Sequence, residues 1–443
     1  MNFKKMQDLL EEKNYSVLKE ELLKVQVADV AEFIEELDTK DSLLVFKLLP
    51  KETGAETFAF LPIESQKKLS GLVNDKELTD ILEELSFDDK IDLLDEMPAN
   101  VVKKILEEAS VTERKLINHF LNYPDDSAGS IMTIEFVDLK KEMPVQEALK
   151  KIRKVALEKE TIYTSYVIDS SRHLEGIVSL RDLVIASPTD LIGDIMTKKI
   201  IAVNTFDDKE NVAELIKKYD LLAIPVIDNE RRLVGIITID DIIDVMEEET
   251  TEDFHKMATV GKMNVNLLDA SPFFIIKKRL PWLLVLIFMN IFSGAGIAYF
   301  EDTIQAVVSL VFFLPLLIDS GGNAGAQSAT LMIRSLAIGD VKVKDWFRLL
   351  KKEFVVAIIL GLFMGAAVSV IGVIRGGVDV AVVVSVSMLI MVIVGSTIGM
   401  SLPFLFSKFK IDPATASGPL VTSISDIVGV LIYFSIATWY LGI

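Results

Sequence analysis

From about residue 281 onward the chain passes through five apolar stretches, at about 281–300, 303–333, 354–374, 380–407 and 414–441, each long enough to cross a bilayer at ~20 residues per helix. No other feature limits the fold so strongly. In hydrocarbon every backbone N–H and C=O must find a partner inside the protein, so these stretches are predicted to be helices packed in a bundle. Lys277, Lys278 and Arg279 precede the first stretch. Lys342, Lys344, Arg348, Lys351 and Lys352 separate the second from the third, and Lys408 and Lys410 separate the fourth from the fifth. Basic loops stay on the cytosolic side, which predicts a cytosolic N-terminus and an outer C-terminus.

The last stretch holds a single charge, Asp426, within Ser423-Ile424-Ser425-Asp426-Ile427-Val428-Gly429. A lone carboxylate is expensive in lipid, so its default reading is functional and facing the protein interior. The neighbouring hydroxyls and glycine leave room for a close backbone and for water. The alternative is a structural carboxylate paired within the bundle, but the nearest bases, Arg334 and Arg375, fall at span ends. The second stretch contains Leu314-Pro315 and then Asp319-Ser320-Gly321-Gly322-Asn323-Ala324-Gly325-Ala326-Gln327-Ser328. Proline and glycines at membrane depth predict a broken helix whose freed backbone lines a cavity.

The front of the chain is of another kind. Residues 1–253 carry 55 of the 65 acids and 32 of the 46 bases, a net charge of −23, whereas the remainder carries +4. So acidic a region argues against nucleic acid and anionic lipid surfaces, and for cations or basic partners. The chain has no cysteine, which removes disulfides, thiolate metal sites and thiol catalysis. Met1-Asn2-Phe3-Lys4-Lys5-Met6-Gln7-Asp8 leads into charged helix rather than an apolar signal core, so the front is expected to stay in the cytosol.

Between about Val27 and Leu121 a pattern recurs with an offset of 48 residues. Glu32-Phe33-Ile34-Glu35-Glu36-Leu37 matches Asp80-Ile81-Leu82-Glu83-Glu84-Leu85, and Pro50 matches Pro98. Short helices broken at proline and stacked as a solenoid are predicted. The acids here, among them Glu56, Asp88 and Asp92, read mostly as a solvated face.

After the turn-rich linker Asn122–Ser130 a second repeat begins. Ile131-Met132-Thr133 recurs as Ile195-Met196-Thr197. Tyr166-Val167-Ile168-Asp169 and the following Leu174 to Leu183 recur as Pro225-Val226-Ile227-Asp228 and Leu233 to Ile242. Each copy predicts helix, strand, hairpin, strand, then a helix opened by Ser or Thr with Asp three residues later. This arrangement resembles a tandem pair of CBS domains. In that family the Ser/Thr-x-x-Asp element, here Ser179 to Asp182 and Thr238 to Asp241, often holds a ribose. A hydroxyl at a helix N-terminus beside a carboxylate suits sugar hydroxyls, and equally makes a plain helix cap.

Residues 240–253 contain Asp240, Asp241, Asp244, Glu247, Glu248, Glu249, Glu252 and Asp253 with no base between them. Helical spacing puts Asp241, Asp244, Glu248 and Glu252 on one stripe, where like charges repel unless a cation intervenes. Carboxylates without Cys or His point to a hard ion, Mg²⁺ or Ca²⁺; the alternative is a solvated acidic helix. Thr250 to Lys278 is predicted to be a connecting helix into the first span.

With these parts in order, the chain resembles the MgtE family of Mg²⁺ channels along nearly its whole length. The most specific motifs are Gly321 to Ser328, the Asp412-Pro413-Ala414 turn, and Asp426 with its surroundings. The resemblance implies a multidomain fold: an all-α helical-repeat N domain (1–128), α/β tandem CBS domains (129–253), a connecting plug helix (254–279) and an α-helical membrane domain of five spans (280–443). It implies a homodimer in the cell inner membrane, a pore carboxylate at Asp426 holding hydrated Mg²⁺ near Asn323, and regulatory Mg²⁺ sites. Those sites carry over to Asp241, Asp244, Glu249, Glu252 and Asp253, with Asp412 from the membrane side. Asp208, Glu210 and Asp220 match less fully, and so do Glu56, Asp88 and Asp92. It also implies possible ATP at Ser179 and Asp182.

Two positions depart from the family pattern, Ala326 where a polar residue is common and Asp319 where a neutral one is expected. The stripe favours Glu248 where the resemblance favours Glu249. The expected function is passive Mg²⁺ uptake closed by cytosolic Mg²⁺, with another divalent ion such as Co²⁺ or Mn²⁺ as the alternative cargo. The sequence has no Gly-x-x-x-x-Gly-Lys-Ser/Thr loop, which fits a passive pathway rather than a pump. A CBS-gated anion or osmolyte transporter would want cationic sites in place of Asp426. A CBS-regulated enzyme would need a nucleophile with a base, which no stretch offers.

Overall fold

The computed structural model describes residues 3–263, 267 and 270–442. The chain forms two compact units, Met1–Glu247 and Glu248–Ile443.

The first unit begins with ten short helices: α1 (Phe3–Glu11), α2 (Tyr15–Leu22), α3 (Val27–Glu35), α4 (Thr39–Leu48), α5 (Lys51–Ala59), α6 (Ile63–Ser70), α7 (Asp75–Glu84), α8 (Phe87–Glu96), α9 (Ala99–Glu108) and α10 (Val111–Phe120). From α3 onward each helix starts 12 residues after the last, so the four-helix set α3–α6 returns as α7–α10 at the 48-residue offset. Caps set the cadence. Asp38, Asn74, Ser86 and Ser110 accept from the first-turn N–H groups of their helices, and Pro50, Pro62 and Pro98 stand at the N-caps of α5, α6 and α9. Through the first of these sets a helix packs on the next but one, α3 on α5 and α5 on α7, α4 on α6 and α6 on α8. The expected solenoid is present.

Two matching α/β modules follow. The first holds β1 (Val137–Leu139), α11 (Val145–Val155), β2 (Thr164–Ile168), β3 (Leu174–Ser179), α12 (Leu180–Ile185) and the short α13 (Ile192–Ile195). The second holds β4 (Val203–Asn204), α14 (Lys209–Tyr219), β5 (Ala223–Ile227), β6 (Leu233–Thr238) and α15 (Ile239–Met257). In each, the first strand runs parallel to the second and the second pairs antiparallel with the third. The recurring Ile-Met-Thr segments cross over. Thr133 pairs with Ile236 of the second module and Thr197 with Ile177 of the first. Glycine makes the crossing possible, since a Cβ at Gly176 would sit 2.5 Å from the Met196 sulfur and one at Gly235 would sit 2.8 Å from that of Met132. The solenoid and the second module share one core, in which Phe33, Phe58, Leu93 and Phe120 join Val212, Ile224 and Ile237.

The second unit is built from α16 (Pro272–Tyr299), the short α17 (Glu301–Ala306), α18 (Ser309–Ala337), α19 (Trp346–Lys408) and α20 (Gly418–Leu441). Four of these helices are long and apolar enough to cross a membrane. The longest is two arms rather than one rod. Gly377, at φ 81° and ψ −175°, reverses the chain, a conformation only glycine enters cheaply. The arms then pack together through Gly372 on Ala381 and Gly365 on Ser385. The core of this unit gathers Phe313 and Leu317 of α18, Val384 and Met388 of the second arm, and Val430, Tyr433 and Phe434 of α20.

Two expectations need correction. The second apolar stretch is not broken: α18 is continuous through Pro315 and the glycine motif, and it starts at Ser309 rather than near 303. Pro315 lies in the first two turns, so few intrahelical bonds are at stake. The glycines serve contact instead. Gly321 and Gly325 face Gly395 and Gly399 of the second α19 arm, and a Cβ at Gly325 would lie 2.7 Å from the Gly395 carbonyl oxygen. Small residues four apart on both helices allow this approach.

The connecting helix is not continuous from Thr250 to Lys278 either. It belongs to α15, which stops at Met257, and Thr259 turns left-handed at φ 54°. Val260 N–H then bonds His255 O and Gly261 N–H bonds Lys278 O, which binds the chain back onto α16. Residues 264–266 and 268–269 of that predicted helix lie outside the described residues.

Candidate functional site

Three groups of polar residues stand out, one in each functional part of the chain. The first is on the membrane helices. Asp319, Asn323 and Gln327 recur every fourth residue, forming an exposed polar stripe on α18. Asn323 Nδ2 donates to Asp319 Oδ2 at 3.0 Å, orienting both side chains. On α20, Asp426 is half-buried, and its Oδ1 has no hydrogen-bond partner among the described residues. The Ser425 hydroxyl beside it is equally without one. Gly322 packs on Thr422 and Gly325 on Val421, so the two helices run antiparallel and place Asp319 and Asp426 at nearly one depth. The Asp319 charge acts on Asp426 across that gap. Two carboxylates, an amide and hydroxyls, all groups that hard cations accept as ligands or bind through water, thus lie near one depth of an apolar bundle.

The second group lies between the solenoid and the α/β modules, inside the first unit. Asp88 and Asp89 of α8 meet Asp240, Asp241 and Asp244 of α15, with Glu135 and Glu160 from two loops, and Asp92 lies beside Asp88 and Asp89 within reach of Lys209. Glu160 N–H bonds Glu135 O, which sets those loops side by side. Asp88 is 8% exposed and its Oδ1 has no partner among the described residues. Burial and the Asp88 charge push Asp241 up to about 8 despite its hydrogen bond from Thr238. Burial and the Asp88 and Asp89 charges raise Asp92 to about 7, and burial with Asp88 and Asp240 raises Glu160 to about 7. Asp89 reaches about 6 for the same reasons, and Asp88, Glu135 and Asp244 are raised as well. Burial is the first cause of each rise and the neighbouring acids add to it, while Lys209 acts against it at Asp92 and Lys159 and Lys90 act against it at Glu135. Among the described residues no three acids converge closely enough to ligate one bare ion.

The third group is at the end of α15, within the second unit. Lys256 Nζ bridges Glu252 and Asp412, and Lys262 Nζ bridges Glu248 Oε1 at 3.0 Å and Glu252 Oε2 at 2.9 Å. Burial would raise Glu252, but the hydrogen bonds from Lys256 and Lys262 pull it down to about 2. Burial and the Asp412 charge raise Asp253 to about 6. Asp412 Oδ1 also accepts from Ala414 N at 2.7 Å, capping the turn that leads into α20. Met257 packs there against Ala329, Ile333, Ala414 and Val421.

The predicted residues thus fall unevenly. Asp88 joins Asp241, Asp244 comes near Asp89, and Asp92 lies beside Asp88 and Asp89, whereas Glu56 is exposed on α5, whose neighbours are α3 and α7. Asp208 caps the start of α14 and Asp220 its end, about 18 Å apart at 1.5 Å per residue, so one ion cannot bridge them within a chain. Glu210 is exposed in the first turn of that helix. Glu248 and Glu252 are paired through Lys262, a base the stripe did not anticipate, and Glu249 is half-buried beside them. Ser179 Oγ donates to Asp182 Oδ2 at 2.6 Å and accepts from Asp182 N at 3.1 Å, a helix cap whose carboxylate remains exposed. Asp89, Glu135, Glu160 and Asp240 were missed as site residues. The only sequence signal for Asp89 and Asp240 was their adjacency to residues already singled out. Glu135 and Glu160 carry none, because only the sheet brings their loops together.

Comparison with known proteins agrees with this anatomy. The model of the divalent cation transporter family MgtE matches residues 314–436, that of the MgtE intracellular N domain matches 25–126, and the CBS domain model matches 128–188 and 192–248. The chain is 38% identical over 440 residues to the magnesium transporter MgtE of Thermus thermophilus, covering 98% of this chain and 97% of that one. It is 34% identical over 429 residues to the magnesium transporter MgtE of Bacillus subtilis, covering 94% and 95%. Among solved structures, the cytosolic domain of the Mg²⁺ channel MgtE in complex with ATP superposes with a TM-score of 0.52 at 37% identity, over 54% of this chain and 98% of that one. The family consists of membrane transporters rather than enzymes, and this chain, with its helical N domain, tandem CBS domains and apolar helices, belongs to the MgtE family.

Proposed function

We propose that the chain is a channel for Mg²⁺, working as a homodimer in the cell inner membrane with its N-terminus cytosolic and its C-terminus outside. The observation that carries this is Asp426: a half-buried carboxylate with an unpartnered oxygen, level with Asp319 and the Asn323 amide on an otherwise apolar helix bundle. An exposed polar stripe on α18 has no place against lipid, which favours a second copy across a shared water-filled path. Magnesium gives up its waters reluctantly, so carboxylates and amides spaced for a hydrated ion suit it. A divalent ion moving inward gains about 4.6 kcal/mol per 100 mV, at ~2.3 per charge, so uptake needs no fuel. The cargo follows from the magnesium transporters to which the chain is similar. Another divalent ion such as Co²⁺ or Mn²⁺ is the competing cargo.

In this reading cytosolic Mg²⁺ closes the path. Without it, the crowded acids of α8 and α15 repel one another; bound Mg²⁺ draws them together. Further acids, Glu249, Glu252 and Asp253, follow on α15, whose last residue Met257 packs beside Ala414 and Val421. Tenfold preference for the closed form at each of four sites, ~1.4 kcal/mol each, approaches the roughly 5.5 kcal/mol needed for a full switch. Nucleotide binds the first CBS module through Ser179 and Asp182 in this scheme, a reading supported by the ATP complex of the similar cytosolic domain.

Liposome flux across a divalent series tests the cargo. Asp426→Ala should remove most Mg²⁺ flux from a folded protein, and near wild-type flux would overturn the pore assignment. Deleting residues 1–253 should give a channel that no longer closes as cytosolic Mg²⁺ rises; closure over the same range would place the sensor in the membrane helices.

A further inference from the structure

We propose that Lys256 is a tethered counter-cation, which holds the end of α15 on the turn before α20 and so limits how far the path opens when cytosolic Mg²⁺ is absent. The inference rests on the reading that cytosolic Mg²⁺ closes the path. Lys256 is the last base before α15 ends, and its ammonium bridges two carboxylates 160 positions apart, Glu252 on its own helix and Asp412 on the turn before α20. Asp412 in turn caps that turn through Ala414 N, so the bridge fixes the backbone leading to Asp426. The same carboxylates, with Asp253 close by, are those a divalent cation would draw together. An ammonium and Mg²⁺ are therefore rivals for one position. The lysine supplies a weak, permanent version of the contact, and the ion supplies a strong, conditional one.

The apolar half of the contact is independent of charge. Met257, the next residue, lies against Ala329, Ile333, Ala414 and Val421. Removing the Lys256 charge leaves Met257 in place but sets Glu252, Asp253 and Asp412 against one another, offset among the described residues by Lys262 on Glu252. Lys262 reaches Glu248 and Glu252, not Asp412. Without Lys256, the electrostatic half of the contact depends on Mg²⁺, while Met257 keeps its apolar packing.

The test is Mg²⁺ flux through the full-length chain in liposomes, with Mg²⁺ varied on the cytosolic side, for wild type and for Lys256→Gln, Lys256→Arg and Lys262→Gln. In Lys256→Gln the ratio of flux without cytosolic Mg²⁺ to flux at saturating Mg²⁺ should rise roughly tenfold, equivalent to ~1.4 kcal/mol. Lys256→Arg should stay near wild type, because the charge and its reach persist. A purely structural lysine would instead scale flux equally at every Mg²⁺ level. An unchanged ratio in Lys256→Gln overturns the proposal, as does an equal change in Lys262→Gln, which would make net charge rather than the Asp412 contact the cause. A wild-type protein that ignores cytosolic Mg²⁺ would overturn the closure reading and this proposal together, whereas wild-type closure with an unaltered Lys256→Gln overturns this proposal alone.

Discussion

Gly322 of α18 lies so close to Thr422 of α20 that a methyl group in place of its hydrogen would sit 2.8 Å from Thr422 Cγ2. This contact sets the register of the two helices and brings Asp319 level with Asp426. A larger residue has nowhere to go, since the same helix is pinned on another side by Gly321 and Gly325 against Gly395 and Gly399. Gly322→Val should cost about 1–3 kcal/mol through overpacking. The expected outcome is a lower thermal midpoint in detergent together with loss of Mg²⁺ flux. Full flux and an unchanged midpoint would mean that the register is set elsewhere.

Asp319 should strengthen the hold on a cation rather than create it. It lies exposed on α18, oriented by Asn323, and its charge acts on Asp426. Losing one of two like charges beside a divalent ion costs on the order of 1 kcal/mol in a wet, high-dielectric path. Asp319→Asn should therefore raise the Mg²⁺ concentration at half-maximal flux about fivefold, and Asp319→Glu should restore much of it. An identical concentration dependence in all three proteins would leave Asp319 as a partner for Asn323 only.

Stability of the acidic group should depend on pH in a particular direction. Asp241 is raised from 3.8 to about 8, and Asp92 to about 7, by burial and neighbouring acids. A carboxyl whose folded-state value is raised favours folding while protonated, so its contribution is present below about pH 4 and is lost as pH climbs toward 8. In EDTA the thermal midpoint should fall between pH 5.5 and 8. Mg²⁺ at a hundredfold excess over its dissociation constant should return about 2.7 kcal/mol per site at pH 8, and much less at pH 5.5. A Mg²⁺ shift of equal size at both pH values would show that these acids do not take up the ion.

Nucleotide binding is a separate matter. Ser179 and Asp182 form a complete cap with each other, so the local geometry is satisfied without a ligand. Calorimetry with ATP and AMP should nevertheless give heat at sub-millimolar ligand, reduced at least tenfold in Asp182→Ala. Asp182→Ala also removes half of the cap, so its thermal midpoint should be checked beside Asp241→Ala. Binding that is unaffected by Asp182→Ala would leave only the cap.

What the sequence determined by itself was whatever follows from local period and from repetition. The 48-residue offset predicted the paired helix sets, and the recurrence of Ile131-Met132-Thr133 predicted two matching modules, because helix caps, hairpin glycines and apolar alternation act over a few residues. The five apolar stretches predicted membrane helices for a similar reason, since lipid forces each stretch to satisfy its own backbone. Asp426 stands out in the sequence because one charge among so many apolar residues has few explanations.

The tertiary structure decided the rest. A glycine reads the same whether it breaks a helix or lets two helices touch. At Gly321 and Gly325 it is the contact with Gly395 and Gly399 that settles the matter, and that contact lies about seventy residues away in the chain. The Lys256 bridge was hidden in the same way: Glu252 stands four residues from it, but Asp412 belongs to a distant turn. Glu135 and Glu160 come beside Asp88 and Asp241 only because β2 pairs with β1 and the solenoid packs on the modules. Charge acts through space, and sequence separation bears no relation to that distance until the chain has folded.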